Sequence, residues 1–255
     1  ALVWNTSEWM QLVLRHDQAF RAPSSEELYT VGTHFCIFPG FCNEFEANPE
    51  LDPETSANTE LMGRWQFSEL AGDDQLSLTA SVFYNQVDNF IEQTVSGPFF
   101  FPVMDAGTTS WTNVDDAVLR GFEADLDYQW RRLNTRLSYG QTRGRDRNND
   151  EYLEGIPADT WSADINYGFL QGELVTGLRA TYALDQKEVP SSNSNEQFDG
   201  YALADIYASW APTGRLEGVS VDLTVNNLTN RYYRVAFEEL YSAGRELILS
   251  VKYTF

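Results

Sequence analysis

Period-two alternation of apolar and polar residues recurs along almost the whole chain, and this pattern constrains the fold more than any other feature. Side chains of a β-strand alternate between two faces, so each run of this kind predicts a strand with one apolar face. Ten such segments are predicted, at 8–19, 57–70, 76–95, 109–130, 134–145, 159–170, 173–186, 199–211, 218–230 and 244–255.

The connections between these segments alternate in length. Short turns with Gly, Pro or charged residues are predicted at 71–74, 131–133, 170–172 and 212–217, as tight hairpins prefer. Long connections fall at 20–56, 96–108, 146–158, 187–198 and 230–243. Short turns at one end and long loops at the other are typical of outer-membrane barrels. The sequence therefore predicts an all-β fold, a transmembrane antiparallel β-barrel.

The two faces of the predicted strands differ as a membrane wall requires. In the last strand Leu247, Leu249 and Val251 share one face with the terminal aromatics Tyr253 and Phe255. We expect that face to contact lipid and the two rings to lie in the periplasmic aromatic girdle.

A strand near 122–130 places Asp125 and Asp127 on the face opposite its apolar residues. That face must border a wet lumen, because charges facing lipid are costly.

Composition excludes two classes of protein. No run of about 18 apolar residues exists, so a helical membrane protein is excluded. The net charge of -21 argues against nucleic acid as a partner, because phosphate binding requires clustered Lys and Arg. Residues 1–8 lack the basic head and apolar core of a signal peptide, so we expect a processed chain or a fragment.

Several short motifs then resemble one family. They are the FRAP box at 20–23 with Glu27-Leu28-Tyr29, the NPEL box at 48–51 with Pro53-Glu54, the strand sequence RGFE at 120–123, NLTN at 227–230 with Tyr232-Tyr233, and the terminal Phe255. Together they resemble the C-terminal half of TonB-dependent outer-membrane receptors. FRAP and NPEL boxes flanking a histidine are similar to the haem and haemoglobin receptors of that family in particular.

The resemblance implies that residues 1–255 are the closing part of a larger barrel in the bacterial outer membrane. Outer-membrane transporters of this kind have 22 strands and a plugged lumen. The plug and the contact with the inner-membrane TonB complex would lie in an N-terminal part outside this sequence. The implied role is import of haem from free haem, haemoglobin or another haem carrier, with haem as transported ligand, no permanent cofactor and no enzymatic activity.

His34 is the residue that the resemblance marks as a haem axial ligand, since it lies between the two boxes. A neutral imidazole can bind haem iron, and Phe35 beside it could lie on the porphyrin face. Tyr29 is a weaker alternative ligand, because a phenolate also binds haem iron. A solvated loop histidine remains the competing interpretation of His34.

Cys36 and Cys42 are the only cysteines. At a cell surface they should be oxidised, which predicts a disulfide closing a small loop around Pro39 and Gly40. The alternative is a metal site formed by His34 with the two thiolates, which would have only three ligands and no companion motif elsewhere.

Two other functions stay open. The same architecture could serve a ferric siderophore or another scarce nutrient, and such a receptor would not need His34. A stand-alone ten-stranded barrel acting as a surface enzyme would need acidic and histidine side chains that converge at the outer rim. In every case we expect outer-membrane lipid and lipopolysaccharide as neighbours.

Overall fold

A computed structural model of the chain describes residues 1–100, 104–191, 197–238 and 240–255. Parts of the predicted long connections at 96–108, 187–198 and 230–243 lie outside these residues. The elements are β1 (Leu2–Ser7), β2 (Met10–Arg21), α1 (Ser25–Tyr29), β3 (Gly32–Phe38), β4 (Phe41–Phe45), β5 (Glu54–Ser68), β6 (Asp74–Val95), β7 (Thr108–Trp130), β8 (Leu133–Asp146), β9 (Glu151–Tyr152), β10 (Thr160–Phe169), β11 (Leu174–Ala183), β12 (Tyr201–Trp210), β13 (Val219–Asn226) and β14 (Glu246–Tyr253).

The strands form one 14-stranded sheet, and its main path follows the order β1-β2-β5-β6-β7-β8-β10-β11-β12-β13-β14. We call the strands of this path the wall. Neighbours in the wall are antiparallel, and β3, β4 and β9 lie off it. Each of the ten predicted segments corresponds to one wall strand, so the all-β antiparallel fold is confirmed.

The prediction was wrong at two places. The wall has one additional strand, β1, which pairs with β2 through a turn at Glu8 and Trp9. That turn contains none of the Gly, Pro or Asn residues that are typical of tight hairpins, so no local pattern predicts it. The long connection predicted at 20–56 also holds structure of its own, namely α1 and the β3–β4 hairpin.

Short and long connections alternate along the wall as predicted. β1–β2, β5–β6, β7–β8, β10–β11 and β12–β13 are joined by short turns, and the remaining consecutive wall strands by long segments. Because consecutive strands run in opposite directions, all long segments leave from one edge of the sheet. The largest of them, between β2 and β5, carries both cysteines and His34.

One face of the wall carries an apolar band. Ile165, Leu178 and Ile206 are direct cross-strand partners on β10, β11 and β12. Their side chains are 43%, 44% and 40% exposed. A row of half-exposed aliphatic side chains along a sheet is the surface expected against lipid tails.

The opposite face carries a row of charges that alternate in sign. Asp127, Arg136, Asp164, Arg179 and Asp205 are successive cross-strand partners from β7 to β12. Arg136 Nε lies 2.7 Å from Asp127 Oδ1, and Arg179 Nε lies 3.0 Å from Asp164 Oδ2. Opposite charges on facing strands stabilise the pairing, and they confirm that Asp127 lies on the polar face.

β1 and β14 are the two ends of the wall's path. Every residue of β14 is exposed, and on β1 Leu2 is 72% exposed. A closed barrel needs hydrogen bonds between its first and last strands, and within the described part of the chain β1 pairs only with β2. The sheet is therefore open at both edges.

A small core lies on the long-loop side of the sheet. Leu153 and Ile156, from the connection between β8 and β10, pack against Val87 of β6 and against Val114 and Ala117 of β7. This contact folds the connection back onto the wall. Among the described residues, no helix is long and apolar enough to cross a membrane.

Candidate functional site

The loop that carries His34 is closed at its base by one arginine. Arg21 ends β2 and faces Glu54, the first residue of β5. Its Nε and Nη2 donate to the Glu54 carboxylate over 2.6 and 2.8 Å, and its Nη1 donates to both Glu27 oxygens over 2.9 Å. The arginine of the FRAP box therefore joins the start of the loop to its end and to α1.

Glu27 also completes the N-terminal cap of α1. Ser24 Oγ accepts from Glu27 N, and Ser24 N donates to Glu27 Oε2 over 2.7 Å. This reciprocal capping box satisfies two donors at the helix start. Burial acts to raise the pKa of Glu27, but the bonds from Ser24 and Arg21 outweigh it and hold the pKa below its ordinary value.

The NPEL box attaches the end of the loop to β7. Asn48 Nδ2 donates to Trp111 O over 2.9 Å. Asp52 N donates to Asn113 Oδ1 over 2.9 Å, and Asn113 Nδ2 returns a bond to Asp52 O over 3.1 Å. Leu51 is buried. Both boxes thus have a structural explanation, which is to hold the ends of the loop.

The β3–β4 hairpin lies between the two boxes and is closed by a disulfide. Cys36 and Cys42 are cross-strand partners and are bonded to each other, as predicted. Bonded cysteines have no thiolate to offer, so the alternative metal site with His34 is excluded. Gly40 at the tip has a φ of +84°, a conformation that favours glycine.

His34 is the extra residue of a β-bulge in β3. Thr33 pairs with Glu44 and Phe35 pairs with Asn43, so the register shifts by one residue at His34. Bulges redirect side chains and are common beside functional sites. Here the bulge turns the imidazole towards β7.

A buried polar network holds the imidazole. His34 Nδ1 lies 3.0 Å from Thr109 Oγ1, and Thr109 Oγ1 donates to Asn43 Oδ1 over 2.6 Å. Asn43 Nδ2 donates in turn to the carbonyl oxygens of Ala106 and Ser96, over 3.2 and 3.3 Å. Thr109 and Asn43 are both 0% exposed. His34 is therefore fixed in place, which a solvated loop histidine would not be.

Aromatic rings surround the same imidazole. The centroid of Phe45 lies 4.5 Å from that of His34, and Phe45 stacks on Trp111 with centroids 5.4 Å apart. Phe35, the predicted neighbour, meets His34 edge to face at 5.0 Å. Rings at such distances are in packing contact with the imidazole. Reasoning from the sequence missed Trp111, because it is far from His34 along the chain.

Tyr29, the weaker candidate ligand, is the last residue of α1 and is 62% exposed. In the described part of the chain it makes no hydrogen bond or ring contact with His34. The structure thus brings His34 together with Phe35, Phe45 and Thr109, and leaves Tyr29 outside that group.

Known proteins with similar sequences include two that are named for haem. The chain is 30% identical over 260 residues to the heme/hemopexin utilization protein C of Haemophilus influenzae (strain 86-028NP), covering 100% of this chain and 36% of that protein. It is 30% identical over 232 residues to the hemin receptor of Yersinia pestis, covering 89% of this chain and 33% of that receptor. The chain therefore spans about a third of the length of these relatives.

Similar solved structures include the copper transporter OprC, with a TM-score of 0.77 and 19% identity. The match covers 99% of this chain and 38% of OprC. At this identity the likeness shows the fold alone.

The family model for the TonB dependent receptor-like beta-barrel matches residues 1–228. Its members are outer-membrane proteins of Gram-negative bacteria, and in barrels of that membrane the longer loops are the extracellular ones. The antiparallel wall, its alternating short and long connections and this match agree: the chain belongs to the TonB-dependent receptor β-barrel family.

Proposed function

We propose that this chain is the closing part of an outer-membrane receptor that imports haem, taken as free haem or from a haem carrier. Residues 1–255 form the C-terminal portion of its barrel, and the remaining strands and the plug belong to the N-terminal part of the full-length protein. The exposed edges of β1 and β14 support this, because unpaired apolar edges of a sheet call for further strands.

The observation that carries the proposal is the anchored imidazole of His34. It lies in an extracellular hairpin that a disulfide stiffens, and it is held by Thr109 and flanked by Phe45. An imidazole nitrogen that binds haem iron must be oriented before the haem arrives if it is to bind tightly. The haem-related names of the two relatives support the same cargo.

The site residues then have distinct roles. His34 is the axial ligand of haem iron, and Phe35, at 38% exposed, offers an apolar surface to the porphyrin face. Tyr29 is a weaker alternative ligand because nothing described orients it towards the hairpin. The iron of haem is the only metal that this site is proposed to bind, and haem is cargo rather than a resident cofactor.

The whole receptor implies further partners. The inner-membrane TonB complex would act through the N-terminal part of the protein, and the apolar band of the wall would face outer-membrane lipid and lipopolysaccharide. Transport and not catalysis is the proposed activity, so we propose no enzymatic role and no nucleic-acid partner.

A receptor for a ferric siderophore or another scarce nutrient is the second candidate. The fold does not discriminate between cargoes, since OprC is named a copper transporter. The buried anchoring of His34 favours haem, because a siderophore receptor needs no such histidine. The stand-alone barrel enzyme is disfavoured, since it would need β1 and β14 to pair.

Titration of the purified full-length protein tests the cargo. With haem we expect saturable binding and a shift of the visible absorption bands, and an excess of ferric catecholate siderophore should not reverse the shift. The siderophore alternative predicts the opposite: unchanged haem bands and tight binding of the ferric complex. The length of the coding sequence before Ala1 decides between receptor and stand-alone barrel, since a plug requires more than a hundred residues, roughly one domain.

A further inference from the structure

The hydrogen bonds around Thr109 determine which nitrogen of His34 carries a proton. A threonine hydroxyl has one proton to donate and can accept from other donors. Thr109 Oγ1 lies 2.6 Å from Asn43 Oδ1 and 3.0 Å from His34 Nδ1. Two oxygens at 2.6 Å repel unless a proton lies between them, and an amide oxygen has none. The single hydroxyl proton of Thr109 therefore points at Asn43.

The orientation of the Asn43 amide is fixed independently. Its nitrogen lies 3.2 Å from Ala106 O and 3.3 Å from Ser96 O, and both of these are acceptors. Rotating the amide by half a turn would place its oxygen against two carbonyl oxygens and its NH2 group against the hydroxyl. Amide orientation is assigned from such partners, and here both carbonyls require the nitrogen. Asn43 is 0% exposed, so its amide is out of contact with bulk solvent.

Two glycines hold those carbonyls in position. Gly97 and Gly107 have φ of +77° and +76°, and they bring the two ends of the β6–β7 connection together. A Cβ on Gly107 would lie 1.7 Å from Ser96 O, so only glycine allows this approach. Ser96 N also donates to Thr108 O over 2.8 Å. The two carbonyls that accept from Asn43 therefore lie where residues 96–97 and 106–107 approach each other closely, next to Thr109. We call this close approach the neck.

It follows that Thr109 accepts its bond from His34 Nδ1–H. We infer that Thr109 and Asn43 are positioning residues that hold His34 as the Nδ1–H tautomer, so that the neutral ring presents its lone pair at Nε2 to haem iron. This inference rests on the proposed function for the identity of the ligand. The tautomer itself follows from the hydrogen bonds alone. Partners of this kind fix the tautomer of metal-binding histidines in general.

Nitrogen NMR of the full-length receptor labelled with 15N-histidine tests the tautomer without haem. This chain contributes two imidazoles, His16 and His34. The His34 signals are assigned as those that a His34→Ala variant of the full-length receptor lacks, and the tautomer is then measured in the wild type. In spectra where the His34 ring is neutral, we expect a protonated Nδ1 and an unprotonated Nε2. A wild-type ring protonated at Nε2 overturns the inference, and this measurement needs no variant of the network.

Variants of Thr109 extend the test. Thr109→Val has nearly the same shape but no hydroxyl, so it should shift the His34 ring towards the Nε2–H form. Thr109→Ser keeps the hydroxyl and should retain the wild-type spectrum. The matched control is Thr112→Val on the same strand, whose hydroxyl bonds Thr94 over 2.9 Å instead. A Thr109→Val spectrum identical to wild type would contradict the role of the hydroxyl.

Haem titration of the same variants connects the tautomer to binding. Loss of one neutral hydrogen bond should weaken haem binding about three- to tenfold in Thr109→Val. Thr109→Ser and Thr112→Val should stay within about twofold. Equal affinity of Thr109→Val and wild type would overturn the positioning role. If His34→Ala also binds haem normally while NMR shows Nδ1–H, the proposed ligand is wrong and the tautomer stands.

Discussion

Arg21 and Glu54 face each other across β2 and β5 at the point where the longest extracellular loop leaves the wall and returns to it. Two hydrogen bonds join them, over 2.6 and 2.8 Å, and Arg21 also binds Glu27 of α1. One guanidinium therefore organises both ends of the segment that carries His34. Its planar group suits this bidentate geometry, which lysine cannot reproduce.

Replacing Arg21 should loosen the loop while the wall stays intact. Arg21→Gln leaves the Glu54 carboxylate, whose side chain is only 13% exposed, without its cation. We expect a loss of about 1–3 kcal/mol in local stability of residues 22–53, measured as faster backbone hydrogen exchange there. The matched control is Arg15→Gln, which breaks the exposed pair with Asp17 on the same strand and should leave the loop unchanged. Equal hydrogen-exchange rates of residues 22–53 in the two variants would contradict the stabilising role of Arg21.

The disulfide should stabilise the β3–β4 hairpin that carries His34. Replacing Cys36 and Cys42 together by serine removes a constraint worth about 2 kcal/mol for so short a loop. We expect weaker haem binding and faster hydrogen exchange in β3 and β4, with the wall strands unaffected. Alkylation of the unreduced, denatured wild-type protein should find no free thiol. Two labelled cysteines would show that the bond is not formed in the cell.

Gly107 and Gly155 form a matched pair for testing the neck beside Thr109. Both have φ of +76°, but a Cβ on Gly107 would collide with Ser96 O, whereas nothing lies within 4 Å of a Cβ on Gly155. Alanine at either position carries the same backbone strain, about 1–2 kcal/mol. Only Gly107→Ala should also displace the acceptors of Asn43 and weaken haem binding. Similar haem affinity in the two variants would show that the neck does not support the site.

The carboxylate of Asp159, which lies immediately before β10, forms a contact that we expect to be sensitive to acid. Its oxygens accept from Arg143 Nη2 over 2.9 Å and from Gln141 Nε2 over 2.8 Å. Burial acts to raise the pKa of Asp159, but these bonds outweigh it and hold the pKa below the ordinary value of 3.8. A carboxyl with a depressed folded-state pKa stabilises the fold fully above its unfolded pKa, and the contribution disappears as the pH falls below it.

Hydrogen exchange of residues 151–159 should therefore be constant above about pH 4, after correction for intrinsic rates, and should accelerate below it. Asp159→Asn should remove this acid dependence. Asp150→Asn is the control, because the Asp150 side chain is 89% exposed and pairs with the Arg145 guanidinium. Acid acceleration that persists in Asp159→Asn would assign the effect to another group.

The sequence was sufficient for most of the wall, because period-two alternation is a local property of each strand. β1 was not predicted, because the turn at Glu8 and Trp9 lacks the residues typical of turns. The helix and the hairpin within residues 20–56 were not predicted either. There the short β3 and β4 are stabilised by the disulfide and by β7, and alternation over so few residues is too weak to predict a strand.

The part of the site that could be predicted from the sequence is His34, Phe35 and the cysteine pair, which lie close together in the chain. The sequence could not predict Thr109, which is 75 residues from His34 and 66 from Asn43. Nothing in the residue types at these positions distinguishes them from any other Thr or Asn in a strand. Their role arises only when β4 pairs with β7 and places the three side chains in contact.

The central claim is that His34 binds haem iron, and absorption titration of the full-length protein with haem tests it most directly. His16→Ala is a close control, since His16 Nδ1 also lies 3.0 Å from a threonine hydroxyl, that of Thr59 on the wall. We expect His16→Ala to bind haem like the wild type and His34→Ala to bind it about 100-fold more weakly, with altered visible bands. Unchanged affinity and spectrum in His34→Ala would contradict the claim.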